Sequence, residues 1–290
     1  MAQTRNQIQA LLAQAGSHPR HRFGQNFMID QNLVRVVAEA GMLTRGDCVI
    51  EVGPGTGTLT EELLDRAGHV VAVEIDRDLA LMLRTRFAGR ESFRLIEGDA
   101  LAGKHELNAE LLAAIRDHAA EHRPLKLVAN LPYNVASPLI IESLIAGVDL
   151  LAFTVQKEVG LRLRAAAGTD DYGPLSVMAQ LLAKVELLRT LPPQAFWPAP
   201  TIESALVRLT KHDRLGNRAN DFSAFVHSLF SSRRKMLRKA LTHAGFDAET
   251  MLADSGLDGH RRAEEFSPEQ LLSLYERKNV KNMSNRGELI

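Results

Sequence analysis

The sequence predicts an α/β fold, a parallel sheet covered by helices and followed by a smaller C-terminal helical domain. Three observations carry this. From about residue 33 to 165, short β-branched runs alternate with longer helical patterns, the rhythm of successive βαβ units. After about Thr210, "HDRLGNRAND" is polar and turn-rich, and the rest of the chain reads as short helices without a strand signal. A length of 290 residues accommodates two cores. The expected organisation is an N-terminal extension at 1–20, a main domain at 21–212 and a helical domain at 213–290.

Candidate strands, in order, are Cys48–Val52, Val70–Glu74, Phe93–Glu97, Lys126–Asn130 and Leu151–Gln156, each rich in β-branched or large apolar residues. Between the first three, "TLTEELLDRAG" and "RDLALMLRTRFAG" repeat apolar residues at helical spacing and stop near Gly68 and Gly89, as helix C-termini often do. The stretch "GKHELNAELLAAIRDHAAEHR", residues 103–123, reads as an amphipathic surface helix between the third and fourth strands. "GPLSVMAQLLAKVELLRTL" and "ESALVRLT" give a further helix and two later strands, extending the sheet to about Thr210. The last dozen residues read as frayed.

Composition excludes several classes. Hydrophobic residues at 45% and charged residues at 24% are ordinary for a soluble globular protein, and no apolar run approaches the ~18 residues of a membrane span. The N-terminus lacks the apolar core of a secretory signal, so a cytoplasmic protein is expected. The single cysteine, Cys48, excludes an internal disulfide and a cysteine-based zinc site, and reads as a buried strand residue. Ten histidines are scattered without ligand spacing, so no metal is expected. A monomer is expected. Charge is balanced overall at 35 basic and 35 acidic residues, but between Ala205 and His243 nine Lys or Arg face two acids. That segment is locally cationic.

"VIEVGPGTGTLTEELL" places Gly53, Gly55 and Gly57 directly after the first strand and before a helix, where the lack of a Cβ lets backbone approach a ligand. The spacing is G-x-G-x-G, not the G-x-G-x-x-G that faces a pyrophosphate. Glu74 ends the next strand, 21 residues after Gly53, where a carboxylate can accept hydrogen bonds from both ribose hydroxyls. Asp99, after the third strand, can take the amino hydrogens of an adenine. Capping of the following helices is the competing reading of each acid alone. Together they indicate a ligand with adenine and ribose but no pyrophosphate, and S-adenosyl-L-methionine fits better than NAD.

Asn130 ends the fourth strand in "NLPYNVASP", on the same sheet edge. An exocyclic amine on adenine is a poor nucleophile because its lone pair is delocalised into the ring. If the side-chain oxygen of Asn130 and the carbonyl of Leu131 accept its two N–H bonds, the nitrogen is held nearer tetrahedral, so catalysis comes from positioning. Pro132 fixes a φ that aims the preceding carbonyl, and Tyr133 offers a face for an extruded base.

In order, "HRFGQNFMIDQNLV", "EVGPGTGTLT", "VEIDRDL", "EGDAL", "NLPYNVASPLI", "FTVQKEV", "DYGPLSVMAQ", "FWPAPTIESALVRL" and "FSSRRKMLRKAL" resemble the ribosomal RNA adenine dimethyltransferase family over roughly residues 20–275. Within it the likeness is to the branch that dimethylates the N6 amines of two adjacent adenosines near the 3′ end of small-subunit (16S) rRNA during subunit biogenesis. The resemblance implies a Rossmann-like class I methyltransferase sheet, S-adenosyl-L-methionine as cofactor, and the small ribosomal subunit with its rRNA as partner. It assigns Asn26 and Met28 to a segment folding over the methionine part of the cofactor. Gly53 and Gly55 become the glycine-loop contact, Glu74 the ribose contact, Asp99 the adenine contact, and Asn130 a contact to cofactor and target together. Leu131 and Tyr133 fall in the target-base pocket, beside Pro132.

On the RNA side, the resemblance makes the cations of "SSRRKMLRKALTH", namely Arg233, Arg234, Lys235, Arg238 and Lys239, a helical phosphate-binding surface. Arg20 and Arg22 add charge beside the pocket mouth, and "FWPAP" forms a stiff loop. Met28 departs from an expected leucine, Ile202 from valine and Gly160 from alanine. Two rivals remain. One is a large-subunit rRNA adenine methyltransferase of the antibiotic-resistance type, which shares the glycine loop and N-x-P-Y core. The other is a ribosome assembly factor without catalysis. Leu131, "QKEVGLRLRA" and "DYGPLSV" favour the small-subunit branch, and intact Glu74, Asp99, Asn130 and Tyr133 favour an active enzyme.

Overall fold

The structure, a computed structural model, describes residues 3–103, 105–120 and 123–284. Lys104, Glu121 and His122, within the 103–123 stretch, and residues 285–290 of the tail lie outside the described residues. The chain forms two compact units. One runs up to Gly160 and takes in Val185–Lys211; the other comprises Leu161–Lys184 and the chain from His212 onward.

The first unit opens with α1 (Arg5–Gln14), started by a reciprocal capping box between Thr4 and Gln7, with Ile8 and Leu12 buried. After β1 (Phe27–Met28) comes α2 (Gln31–Ala40), capped by the Asp30 carboxylate, which accepts the N–H groups of Asn32 and Leu33. The alternation then runs β2 (Cys48–Val52), α3 (Thr58–Arg66), β3 (His69–Glu74), α4 (Arg77–Arg86) and β4 (Phe93–Glu97). A hairpin of β5 (Leu101–Gly103) and β6 (Glu106–Leu107) precedes α5 (Ala109–Ala120), the amphipathic helix expected in that stretch, which buries Leu111, Ala114 and Ile115. The hairpin itself carried no sequence signal. Next along the chain are β7 (Leu125–Asn130), α6 (Ala136–Ala146), β8 (Leu150–Gln156), α7 (Lys157–Arg164), then α8 (Pro174–Leu182), which belongs to the second unit, and β9 (Ala183–Leu191), β10 (Phe196–Trp197) and β11 (Ser204–Lys211).

The main sheet has seven strands in the order β4-β3-β2-β7-β8-β11-β9. From β4 to β8 all pairings are parallel, and the five strands read from the sequence are all present with at most one added residue. β11 runs antiparallel to β8, from Ser204 opposite Gln156 to Thr210 opposite Leu150, so the sheet is mixed at that edge. Apart from Glu51, His69 and Glu74, the runs of β2 and β3 are apolar, as expected of strands buried in a parallel sheet, with Val49, Ile50, Val70, Val71 and Ala72 at 1% exposure or less. Cys48 is a free thiol buried in β2, as expected. Gly160 has a packing reason: a Cβ there would lie 2.9 Å from Leu187 Cδ2 on β9.

The second unit packs α8 with α9 (Ala219–Ser231), α10 (Leu237–His243), α11 (Ala248–Ser255) and α12 (Pro268–Ser284). Its core is aromatic: Phe222, Phe225 and Tyr275 sit with ring centroids 5.3–6.2 Å apart. One unit boundary, at Lys211/His212, falls a residue from the break expected after 212, but Leu161–Lys184 belongs with the helices. The reason is local. Val177, Met178, Leu181 and Leu182 of α8 are all buried, and the Tyr172 hydroxyl donates to the Phe266 carbonyl at 2.9 Å. α12 continues to Ser284, into the stretch read as frayed. No helix among the described residues is long and apolar enough to cross a membrane.

Candidate active site

A cavity of about 320 Å³ opens at the carboxyl ends of β2, β3, β4 and β7. It brings together Asn26, Met28, Gly53, Gly55, Glu74, Asp99, Asn130 and Pro132, which lie far apart along the chain. Leu131 and Tyr133 stand behind this wall; Leu131 is buried and Tyr133 half-buried.

The glycine loop is shaped by its neighbours. Gly53 and Gly55 have φ of +72° and +60°, a region that side chains other than glycine enter at a cost. A Cβ on Gly55 would stand 2.9 Å from Phe27 Cε1, and one on Gly53 would stand 3.3 Å from Pro132 Cγ. Phe27 is held down in turn: β1 pairs with β10, Phe27 stacks on Trp197 at 6.4 Å, and the Arg5 guanidinium sits 5.8 Å above Trp197. Trp197 is therefore occupied within the fold. We expect Gly55→Ala to destabilise the protein by about 1–3 kcal/mol, through backbone strain and displacement of Phe27. Isothermal titration should show weakened cofactor binding for that variant, and unchanged affinity would contradict the tight fit.

The Gly55 N–H donates to Glu74 Oε2 at 3.1 Å, and the Asp76 N–H donates to Oε1 at 2.9 Å. Glu74 is buried, and burial pushes its pKa up to about 7, opposed by those N–H donors and reinforced by the nearby Asp76 charge. A second carboxyl, Glu51, lines the same cavity and was missed from the sequence. It accepts a hydrogen bond from Thr60 Oγ1 at 2.6 Å, and burial pushes it up to about 8, with Glu74 adding repulsion. Its signal was available: a charged residue inside the otherwise apolar "CVIEV" needs a partner or a task. Asp99 is exposed, and Oδ1 accepts the Leu101 N–H at 3.0 Å.

Asn130 is tied on both sides. Its Nδ2 donates to the Asn26 carbonyl at 2.7 Å, and its Oδ1 accepts from Thr154 Oγ1 at 2.5 Å. An amide oxygen has two lone pairs, so one acceptor site remains. Behind it, the Leu131 N–H donates to the Thr154 carbonyl at 3.2 Å, and the Tyr133 hydroxyl pairs with Ser204 Oγ at 2.7 Å. Burial raises the Tyr133 hydroxyl above its usual range.

Several cations expected to face RNA have partners within the protein. Arg20 bridges Asp76 at 2.9 Å and Asp78 at 2.5 Å, which fastens the segment before β1 to the start of α4. Arg22 is exposed at the cavity rim, its guanidinium 4.6 Å from the Phe23 ring centre. The run Arg233 to Lys239 is not one helix: α9 ends at Ser231, Arg233–Lys235 lie in the turn after it, and α10 starts at Leu237. Ser228 and Ser231 turn their hydroxyls back onto main-chain carbonyls in the last turn of α9, and Met236 pairs with Arg262 in an isolated β-bridge. Met236 itself is 46% exposed. Arg233 pairs with Glu264 and Arg238 with Glu249, whereas Arg234, Lys235 and Lys239 are exposed without an ion-pair partner among the described residues. Those residues also contain no cluster of three or more histidine, cysteine or acidic side chains able to hold a metal ion.

Comparison with known proteins places this geometry. The family pattern described as Ribosomal RNA adenine dimethylase matches residues 16–280. A relative named Ribosomal RNA small subunit methyltransferase A from Moorella thermoacetica is 38% identical over 274 residues, covering 91% of this chain and 94% of the relative. One of the same name from Magnetococcus marinus is 40% identical, covering 92% and 94%. Among solved structures, the 23S rRNA methyltransferase ErmE superposes with a TM-score of 0.61 at 26% identity, covering 88% of this chain and 100% of that one. A dimethyladenosine transferase from Plasmodium falciparum does so with a TM-score of 0.70 at 22% identity, covering 88% and 98%, a likeness of fold. With its class I sheet, its glycine loop and a pattern match spanning nearly its whole length, the chain belongs to the ribosomal RNA adenine dimethylase family.

Proposed function

We propose that the protein dimethylates the N6 amines of two adjacent adenosines near the 3′ end of small-subunit rRNA, with S-adenosyl-L-methionine as methyl donor, as a step in subunit biogenesis. The observation that carries this is the convergence of Gly53, Gly55, Glu74, Asp99 and Asn130, from four strand ends, on one cavity. The residues fit the cofactor: Glu74 presents a buried carboxyl already oriented by two backbone N–H groups, for which ribose hydroxyls are suited donors. Asn26 and Met28 would cover the methionine part, Gly53 and Gly55 would approach through backbone, and Asp99 would hold the adenine. When bound, S-adenosyl-L-methionine supplies an electrophilic methyl group on a sulfonium.

The chain's own contribution is positional. Asn130 offers the remaining lone pair of Oδ1, and Leu131 its main-chain carbonyl, to the two N–H bonds of the target amine. Holding both draws the nitrogen lone pair out of the ring and aims it, a gain in orientation and electrostatics without a strong base. Tyr133, its hydroxyl anchored on Ser204, is a stacking face for the extruded base. The relatives named for the small subunit, at 38–40% identity over nearly their whole length, favour that substrate over the large subunit.

The test is transfer of labelled methyl to purified, unmethylated small subunits, with large subunits and free adenosine-rich RNA in parallel, then nucleoside analysis. Dimethyladenosine formed only on small subunits is the expected result. Label on large subunits would move the protein to the resistance branch, and subunit binding without label would leave an assembly factor.

Of the cations expected on the RNA surface in the second unit, Arg234, Lys235 and Lys239 are exposed and have no ion-pair partner among the described residues. Replacing all three by alanine is expected to weaken subunit binding and to flatten the dependence of log affinity on log salt by about 2–3, with little change in cofactor affinity. An unchanged salt slope would remove this patch from the interface.

A further inference from the structure

We infer that Thr154 of β8 is a positioning residue for methyl transfer, acting through Asn130; this rests on the role proposed above for Asn130. β8 reads Leu-Leu-Ala-Phe-Thr-Val-Gln, and Thr154 is the one polar side chain in it before Gln156. It is wholly buried, at 0% exposure, and does not line the cavity. A valine would fill nearly the same volume without the cost of burying a hydroxyl, so the hydroxyl calls for a partner. That partner is Asn130 Oδ1, at 2.5 Å.

Chemistry sets the hydrogen-bond directions. The Asn26 carbonyl can only accept, so the atom of Asn130 facing it at 2.7 Å must be Nδ2. The other end of the amide, Oδ1, then faces Thr154, whose hydroxyl must donate. Without that donor the Asn26 carbonyl alone holds the amide, and Oδ1 loses the hydrogen bond that fixes its position and resists a flip. A flipped amide would present N–H groups, not a lone pair, to an amine that also carries N–H groups. Thr154 also anchors the residue that carries the second acceptor: its main-chain carbonyl takes the Leu131 N–H at 3.2 Å, in register with the pairing of Asn130 and Thr154 between β7 and β8. One residue, outside the cavity, thus holds Oδ1 of Asn130 through its side chain and the chain at Leu131 through its main chain.

The experiment compares Thr154→Val, which keeps the branched shape and loses the hydroxyl, with Thr154→Ser, which keeps the hydroxyl. Thr154→Val is expected to lower kcat for subunit methylation by about 10- to 100-fold, the scale for a misaligned catalytic group. KM for cofactor and for subunits should stay within about threefold of the parent, and Thr154→Ser should restore kcat to within about threefold. A Thr154→Val protein with parental kcat, or a Thr154→Ser protein as impaired as Thr154→Val, overturns the inference. A second readout needs no activity: the side-chain amide protons of Asn130, identified by NMR through their loss in Asn130→Ala. They should shift or broaden in Thr154→Val and be retained in Thr154→Ser, and an unaltered pair in Thr154→Val overturns the inference whatever the kinetics. If the parent transfers no methyl to any subunit, the functional reading fails, and the amide spectrum alone decides the positioning claim.

Discussion

Asn130→Ala is expected to lower methyl transfer to small subunits by about 10³-fold or more, the scale for removing one preorganised polar group from a reacting centre. The loss has two physical sources. The first is direct: the remaining lone pair on Oδ1 disappears, and one of the two N–H bonds of the target amine loses its acceptor. The second runs through the segment before β1. Asn130 Nδ2 is the donor to the Asn26 carbonyl, so the alanine variant removes one tie of that segment at the cavity, though not those of Arg20, and leaves the buried Thr154 hydroxyl without its partner. Cofactor affinity should therefore fall too, by about tenfold for one lost charge-neutral hydrogen bond of roughly 1.4 kcal/mol. Asn130→Asp separates the two. It keeps an acceptor oxygen but has no N–H for Asn26, so it should bind cofactor as weakly as the alanine variant. Single-turnover rates with saturating cofactor measure the first source and calorimetric titration the second. An alanine variant retaining more than about a tenth of the parental rate would remove Asn130 from the chemistry.

Much of this site was legible because its parts are written at strand ends. Glu74 and Asn130 end apolar strand runs and Asp99 follows the third strand, so all three could be read as ligand-capable residues on one sheet edge, Glu74 also by its spacing from Gly53. What the sequence hid is long-range pairing. Arg20 looks like a free cation beside a pocket, but its partners, Asp76 and Asp78, lie more than fifty residues on. The cationic excess between Ala205 and His243 was a local count, and the fold brings acids from outside it: Arg214 meets Glu269, Arg218 meets Glu276, Arg233 meets Glu264 and Arg238 meets Glu249. Thr154 was invisible for the opposite reason. Threonine is an ordinary strand residue, and only the register of β8 against β7 gives its hydroxyl a task. The helical pattern through Arg233–Lys239 misled because apolar spacing registers neither the turn at Ser232 nor the bridge from Met236 to Arg262, a residue much further along the chain.

The buried carboxyls make the second large prediction, a stability that falls as pH rises. Glu51 stands at about 8 and Glu74 at about 7, both raised by burial above the 4.5 of an unperturbed glutamate. Between those limits the folded protein holds protons that the unfolded chain has released, so the unfolding free energy declines with pH. The contribution is fully present below about pH 4.5 and is lost as pH climbs through the folded values. For Glu51 the span corresponds to roughly 4–5 kcal/mol if the site stays dry, and less with any water entry. Glu51→Gln keeps an acceptor for Thr60 Oγ1 and cannot ionise. It should therefore match the parent near pH 5 and exceed it by several kcal/mol near pH 9, a rise in Tm of about 5–10 °C. Glu74→Gln should show a smaller rise together with weaker cofactor binding, because ribose hydroxyls lose a carboxylate acceptor. In the parent, the same titration makes cofactor affinity increase from about pH 6 to pH 8 as Glu74 ionises. Thermal melts of the cofactor-free parent and both variants across this range decide the matter. Parallel curves for parent and Glu51→Gln would mean that Glu51 is ionised well below neutrality, with its charge met by water or by a donor other than Thr60.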